Sequence, residues 1–218
     1  IESEQCSVVR LTQVHRHAEN SSIVRNSKRV LNGEMIVVDY SENSDLIFEQ
    51  AETRPEIEEK ICNIVASIMQ NGTESIENIQ VLSPVKDGIA GIKSLNPRLQ
   101  AMLNHADDSF ETFDNEIIKS NDRVMLTQND YSINVFNGEI CRECFVVQQD
   151  ESDSNGLILM FGDALNATYQ EHETKTKWLT LAYAITVHKS QGSEYKYVVM
   201  PVFQSRGLYR NLIYTAMT

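Results

Sequence analysis

A polar, glycine-containing stretch near the end of the chain places the tightest constraint on the fold. Residues 183–194 read Tyr-Ala-Ile-Thr-Val-His-Lys-Ser-Gln-Gly-Ser-Glu, and the apolar run 197–203 follows almost at once. Because Gly192 has no Cβ, backbone amides beside it can approach a phosphate or a ribose, and the neighbouring side chains supply further donors. A polar surface loop is the simpler interpretation. The density of donors directly before a β-like run instead predicts a ligand-binding turn.

Strand-like and helix-like segments alternate upstream of residue 107. Strands are predicted at 8–11, 36–39 and 79–83, and helices at 20–32, 53–70 and 96–103. The middle helix begins with Thr53-Arg-Pro-Glu56, a capping box with proline in the first turn. This alternation is typical of an α/β fold with a parallel sheet.

Short β-like runs follow the acidic stretch 107–116. They lie at 123–127, 140–147, 157–161 and near Thr168, with Asn-Gly and Asp-Ser-Asn-Gly turns between them. Several short strands at this spacing predict a small antiparallel barrel inserted into the α/β domain. We therefore predict a first α/β part at 1–110, the barrel at 111–178 and a second α/β part at 179–218.

Composition excludes little. The chain has 218 residues and a net charge of −12, which taken alone argues against a nucleic-acid partner, because phosphate binding needs clustered lysine and arginine. The acidic residues concentrate in a few stretches, however, so the total charge is a weak argument in either direction. No apolar run approaches the roughly 20 residues that a membrane span requires, and we expect no membrane partner.

Cys141 and Cys144 form the one CxxC pair. Zinc would need two further ligands, and neither a second CxxC nor an HxxxH motif is present. A metal or redox pair and ordinary reduced cysteines of a cytoplasmic protein are the two interpretations, and the second is favoured. No metal site is predicted.

The motifs, taken in order, resemble those of RecD-like superfamily 1 helicases, the exodeoxyribonuclease V alpha subunit family. Residues 183–194 resemble helicase motif V, and Leu212-Ile-Tyr-Thr-Ala-Met-Thr218 resembles the start of motif VI, which the family continues with an arginine. The other matching segments are Val81-Leu-Ser-Pro-Val-Lys86, Leu95-Asn-Pro-Arg-Leu-Gln100, Asp122-Arg-Val-Met125 and Val135-Phe-Asn-Gly138. The resemblance implies the C-terminal part of such a helicase: a second RecA-like motor domain with an inserted SH3-like barrel.

The same resemblance assigns residues to a nucleotide site and to a DNA site. It makes Arg16 the catalytic residue that reaches the γ-phosphate of ATP, where a guanidinium can stabilise transition-state charge. It places Gly192, Glu194 and Arg210 near the nucleotide. Thr186 and His188 fall on the side of single-stranded DNA.

Four more residues are predicted to contact DNA on chemical grounds. Ser83 and Lys86 directly follow a strand, at the carboxyl edge where α/β sheets bind ligands, although an ordinary turn explains them equally well. Asn129 and Tyr131 offer polar and stacking contacts to single-stranded DNA. Phe136 could stack in the same way or belong to the core.

The expected function is that of an ATP-dependent DNA helicase, with five-prime to three-prime polarity, in recombination and repair. ATP and Mg²⁺ would be held mainly by a motor domain that this chain lacks, because Ile92 interrupts the one P-loop-like stretch, 88–94. The expected partners are single-stranded DNA, a duplex fork and subunits of a nuclease complex. We expect the chain alone to be inactive. The alternatives are a non-catalytic DNA- or protein-binding scaffold and the helicase half of a conjugative relaxase.

Overall fold

The computed structural model describes residues 21–41, 44–70, 72, 74–148, 155–162, 165–205 and 208–218. The helices are α1 (Ser22–Asn32), α2 (Arg54–Gln70), α3 (Ile92–Leu103) and α4 (Arg210–Met217). The strands are β1 (Ile79–Ser83), β2 (Phe110–Glu111), β3 (Ile117–Ile118), β4 (Val124–Leu126), β5 (Glu143–Val147), β6 (Gly156–Phe161), β7 (Leu165–Gln170), β8 (Leu179–Leu181), β9 (Ala184–Thr186) and β10 (Tyr197–Val199). Short 3₁₀ turns lie at Ile76–Asn78, Thr174–Trp178 and Val187–Ser190. The predicted strand at 8–11 lies outside the described residues.

The chain divides into two compact units, which we describe separately. The first contains the described residues up to 50 together with 209–218, and the second contains 51–208. The predicted boundaries after residues 110 and 178 stay predictions. No helix in the described ranges is long and apolar enough to cross a membrane.

In the first unit, helix α1 packs against α4. The Ser21 hydroxyl accepts a hydrogen bond from Val24 N, and Gly33 ends the helix in a left-handed conformation. The predicted strand at 36–39 is wrong, because this segment has no strand partner among the described residues. Instead the buried Asn26 side chain bonds both the N–H and the carbonyl of Val37. One amide side chain thus takes the place of a neighbouring strand.

The second unit contains a parallel sheet of order β10-β1-β9, as the alternation predicted. Strand β1 is central and buried along its whole length. The capping box of α2 is confirmed at its first bond, since Glu56 N donates to the Thr53 hydroxyl. The apolar side of α2 and of α3 packs on the sheet in one core, whose buried members are Ile61, Val65, Ile79, Val81, Leu95, Leu99, Leu181, Tyr183, Ala184 and Val199.

Helix α3 starts earlier than predicted, at Ile92 rather than Asn96. Gly91 caps it, at a position where a Cβ would lie 2.7 Å from the Lys86 carbonyl oxygen. Pro97 lies inside the helix, where the missing N–H removes one backbone bond. The turn that precedes the helix is therefore tight and specific.

The predicted antiparallel strands are confirmed between residues 110 and 181. Strands β5, β6 and β7 form one sheet, and β2–β3 and β4–β8 form two antiparallel pairs. They enclose a second core, whose buried members include Phe110, Ile118, Leu126, Leu157, Leu159, Phe161 and Leu179. The described pairings form separate sheets, so closure into a barrel stays a prediction.

Buried polar side chains hold the crossover between β8 and β9, where the chain passes from antiparallel to parallel pairing. Asn96 donates to the carbonyls of Leu181 and Ala184 and accepts from Ala184 N. Gln80 donates to the carbonyl of Tyr183 and accepts from the Arg123 guanidinium. Burial lowers the pKa of Arg123. Side chains of α3 and of β1 therefore both hold the backbone of the crossover in place.

Candidate nucleic-acid interface

The carboxyl ends of β1 and β9 meet at one edge of the parallel sheet. Ser83 is the register partner of Thr186, the last residue of each strand. The turn after β1 carries Lys86, and the 3₁₀ turn after β9 carries His188 and Lys189. In α/β sheets this edge is the usual place for a ligand.

Lys86 and Lys189 lie close enough on this edge to affect each other. Partial burial, and then the positive charge of Lys86, lowers the pKa of Lys189. None of the ion pairs in the described part of the chain involves either lysine. Two like charges without an acidic partner favour the binding of an anion such as phosphate.

The loop between Asn129 and Gly138 contacts Lys189. The Lys189 ammonium donates to the Asn137 side-chain oxygen. Asn137 N donates in turn to the Asn129 side-chain oxygen at 2.8 Å, and the Asn129 amide donates to the Tyr131 hydroxyl at 2.9 Å. A chain of hydrogen bonds therefore connects Lys189 to Tyr131.

Tyr131 and Phe136 present an aromatic pair to solvent. Their ring centres are 6.4 Å apart at 82°, and the residues are 77% and 43% exposed. The buried Asp130 fixes the loop between them, since it accepts from Ser132 N and pairs with Lys175 at 3.4 Å. Phe136 thus belongs to the surface and not to the core. Exposed aromatic rings on a loop that contacts a lysine are a combination typical of surfaces that bind single-stranded nucleic acid.

Ser83, unlike Tyr131 and Phe136, is not exposed to solvent. It is completely buried, and its hydroxyl donates to the carbonyl of Ala90 at 2.7 Å and accepts from Val85 N. The side chain therefore closes the turn that carries Lys86. We leave Ser83 out of the proposed DNA contacts for this reason.

Glu58 of α2 supports the turn between β1 and α3, which carries Lys86. Its buried carboxylate accepts from Ala90 N at 2.7 Å and from the Ser94 hydroxyl at 2.5 Å, and it pairs with Arg98 at 3.2 Å. Ala90 has a φ of 62°, which is uncommon for a residue with a side chain. The carboxylate thus holds a turn that the backbone alone would not favour.

The motif V stretch contributes residues of different exposure. Thr186 is half-buried at the end of β9, and His188, Gly192 and Glu194 are exposed. Gly192 has a φ of +89°, and a Cβ built there would meet no atom within 4 Å. The glycine is therefore required by its backbone conformation and not by crowding.

Residues 181–218 match the family model described as UvrD-like helicase C-terminal domain. The chain is 28% identical to the ATP-dependent RecD2 DNA helicase of Deinococcus radiodurans over 225 residues, which is 99% of this chain and 28% of that protein. It is 30% identical to the RecBCD enzyme subunit RecD of Buchnera aphidicola subsp. Acyrthosiphon pisum over 69% of this chain and 24% of that protein. The chain is a relative of the RecD-like superfamily 1 helicases.

The resemblance predicted from the motifs is thereby confirmed, and this RecD-like chain spans about a quarter of the length of these relatives. The fold is also similar to part of a solved structure of two coordinating Pif1 helicases that unwind forked dsDNA. The TM-score is 0.55 over 95% of this chain and 46% of that one, at 16% identity. That likeness supports the mixed α/β fold alone.

The nucleotide-side predictions for the RecD-like chain are distributed over different parts of the molecule. Gly192 and Glu194 belong to the second unit, whereas Arg210 opens α4 in the first. The Arg210 guanidinium lies against Gly33, since a Cβ on that glycine would come within 2.6 Å of it. Arg16 lies outside the described residues. These four assignments stay predictions.

Cys141 and Cys144 are buried and carry free thiols. Burial raises the pKa of Cys141 to about 11 and raises the pKa of Cys144 as well. Thiols that resist ionisation are poor metal ligands and poor nucleophiles. Within the described ranges, no group of three or more potential ligands is placed to hold a metal ion.

Proposed function

We propose that the protein containing this chain is an ATP-dependent DNA helicase of the RecD type, acting in recombination and repair. In this proposal the chain supplies single-stranded DNA contacts and part of an interdomain ATP site. The observation that carries it is the contact of Lys189, at the carboxyl edge of the sheet beside Lys86, with the loop that exposes Tyr131 and Phe136. The name of the Deinococcus radiodurans relative, an ATP-dependent DNA helicase, supports the activity.

The lysines would hold the phosphates, and the aromatic pair would stack on bases. An ammonium group replaces counterions at a phosphate, and base stacking on an aromatic ring tolerates any sequence. Thr186 and His188 would add hydroxyl and imidazole donors to the backbone, and Asn129 would orient Tyr131. This division of roles suits translocation along a strand of any sequence.

ATP would bind between this chain, as a second RecA-like motor domain with an inserted SH3-like barrel, and a first motor domain. Arg16 and Arg210 would contact phosphate oxygens, Gly192 would approach the nucleotide, and Glu194 would accept from ribose hydroxyls. Mg²⁺ would be held mainly by the first motor domain. A five-prime to three-prime polarity, a duplex fork as substrate and a cytoplasmic location complete the proposal. Association with subunits of a nuclease complex is part of the proposal, and the relative that is named as a subunit of the RecBCD enzyme supports assembly with other subunits.

Tyr131→Ala in the full-length protein is expected to weaken binding of an oligo-dT strand about tenfold, because base–aromatic stacking contributes on the order of 1–3 kcal/mol per base. Fluorescence anisotropy of labelled oligo-dT measures the affinity. Tyr40→Ala removes another highly exposed tyrosine, in the first unit, and is the matched control. Equal affinity of the two variants would contradict the stacking role.

Arg16→Ala is expected to reduce the DNA-stimulated ATP turnover of the full-length protein by about 10³-fold or more, because an arginine at the γ-phosphate stabilises transition-state charge. The measurement is steady-state ATPase activity with saturating single-stranded DNA. Arg25→Ala removes another arginine, exposed in α1, and is expected to keep turnover near that of the parent. Near-parental turnover of Arg16→Ala would remove the assigned role.

One alternative has an observation in its favour. The net charge of −12 and the interrupted P-loop-like stretch would suit a non-catalytic scaffold that binds DNA or protein. The same ATPase assay separates the two functions. A full-length protein that binds oligo-dT but shows no DNA-stimulated turnover would be such a scaffold.

A further inference from the structure

The buried carboxylate of Asp122 connects the parallel-sheet part of the second unit with its antiparallel part. Asp122 is 3% exposed, and both of its oxygens accept hydrogen bonds. One oxygen accepts from the Asn104 amide at 2.6 Å and from the Tyr183 hydroxyl at 2.8 Å. The other accepts from the Gln100 amide at 2.5 Å and from Lys119 N at 2.7 Å. Its surroundings therefore provide four donors, all of them neutral.

Asp122 has no ion pair among the described residues. The guanidinium of the neighbouring Arg123 does not bond to it. The Arg123 guanidinium donates to the carbonyls of Ile76 and Ile79 and to the Gln80 side chain. Burial, together with the charge of Asp122, raises the pKa of Tyr183. The Tyr183 hydroxyl therefore remains a donor throughout the physiological pH range.

Two chain segments start at the Tyr183–Asp122 hydrogen bond and contact each other again at the surface. Tyr183 precedes β9, which leads to Lys189, and the Tyr183 carbonyl is bonded by the Gln80 side chain. Asp122 precedes β4, and β4 leads to the loop that carries Asn137, where Gly138 N donates to the β4 carbonyl of Leu126. The two segments contact each other at the surface, where the Lys189 ammonium donates to the Asn137 side chain.

We propose that the Tyr183–Asp122 hydrogen bond is a positioning element of the DNA site. It fixes the loop that carries Tyr131 and Phe136 at a set separation from the turn that carries Lys189. The spacing between the base-stacking surface and the phosphate-binding lysines then depends on an interior bond that contacts no DNA. This inference rests on the proposed single-stranded DNA site.

Tyr183→Phe tests the link, because it removes the hydroxyl and keeps the ring. Tyr169→Phe is the matched control. Tyr169 is equally buried, at 3% against 4%, and its hydroxyl has no hydrogen-bond partner among the residues that the structure describes. We expect Tyr183→Phe to weaken oligo-dT binding by the full-length protein about three- to tenfold, because the binding groups would lose part of their preorganisation, and Tyr169→Phe to leave it unchanged. Asp122→Asn keeps the side-chain shape and is a second variant, expected to act in the same direction.

A double-mutant cycle separates positioning from a general loss of stability. In a Lys189→Gln background we expect Tyr183→Phe to have less than about a twofold further effect, because the group that it positions is gone. An equal effect in both backgrounds would overturn the positioning role. So would parental affinity of Tyr183→Phe in a protein that Lys189→Gln weakens. If Lys189→Gln itself leaves oligo-dT binding unchanged, the proposed DNA site fails, and the inference falls with it.

Discussion

Asp122→Ala is expected to lower the free energy of unfolding by about 3–5 kcal/mol, the largest stability effect that the structure suggests for one polar side chain. The change leaves four donors without their acceptor: the buried side-chain groups of Gln100, Asn104 and Tyr183 and the partly buried backbone N–H of Lys119. Each unsatisfied buried donor costs about 1–3 kcal/mol, and partial relaxation keeps the total below the sum. Because these donors come from three separate segments, the parallel and the antiparallel part should both loosen.

Urea denaturation followed by circular dichroism measures this loss. Asp107→Ala is the matched control, since Asp107 is an exposed aspartate of the same unit. Surface substitutions of this kind change stability by less than about 0.5 kcal/mol. Equal midpoints for the two variants would show that the Asp122 carboxylate does not hold the unit together.

Much of the fold could be predicted, because local signals agree with it. The Thr53 capping box and the apolar spacing of α2 define that helix, and turn signals separate the short strands. Two local predictions failed for reasons that lie elsewhere in the chain. The segment 36–39 bonds to Asn26, and α3 begins at Ile92 because the turn before it is anchored on Glu58.

The residue types of the candidate site could be predicted from the sequence, but the contacts that bring them together could not. Lys86, Asn129 and Tyr131 were proposed from their chemistry, and their contacts with DNA stay predictions. The contact between Lys189 and Asn137 joins residues 52 positions apart, and three donors of Asp122 lie 18, 22 and 61 positions away. Distances of this kind leave no local pattern. The one signal available for Lys189 was its position inside the motif V stretch.

Lys86→Gln/Lys189→Gln is expected to weaken oligo-dT binding on the order of 30-fold near 50 mM salt, because two phosphate contacts are lost together. The two lysines repel each other in the free protein, and bound phosphate relieves that repulsion. Glutamine keeps most of the side-chain length, so the stability of the fold should change little. Lys28→Gln/Lys177→Gln removes the same charge from two exposed lysines outside the site and is the matched control.

The salt dependence of oligo-dT binding, measured from about 50 to about 200 mM salt, tests the DNA site most directly. Each phosphate contact on a single strand contributes about 0.7 to the slope of log affinity against log salt. We therefore expect Lys86→Gln/Lys189→Gln to reduce the slope by about 1.4, and the control pair to leave it unchanged. A slope that is identical in the parent, the site variant and the control would contradict a phosphate-binding role for Lys86 and Lys189.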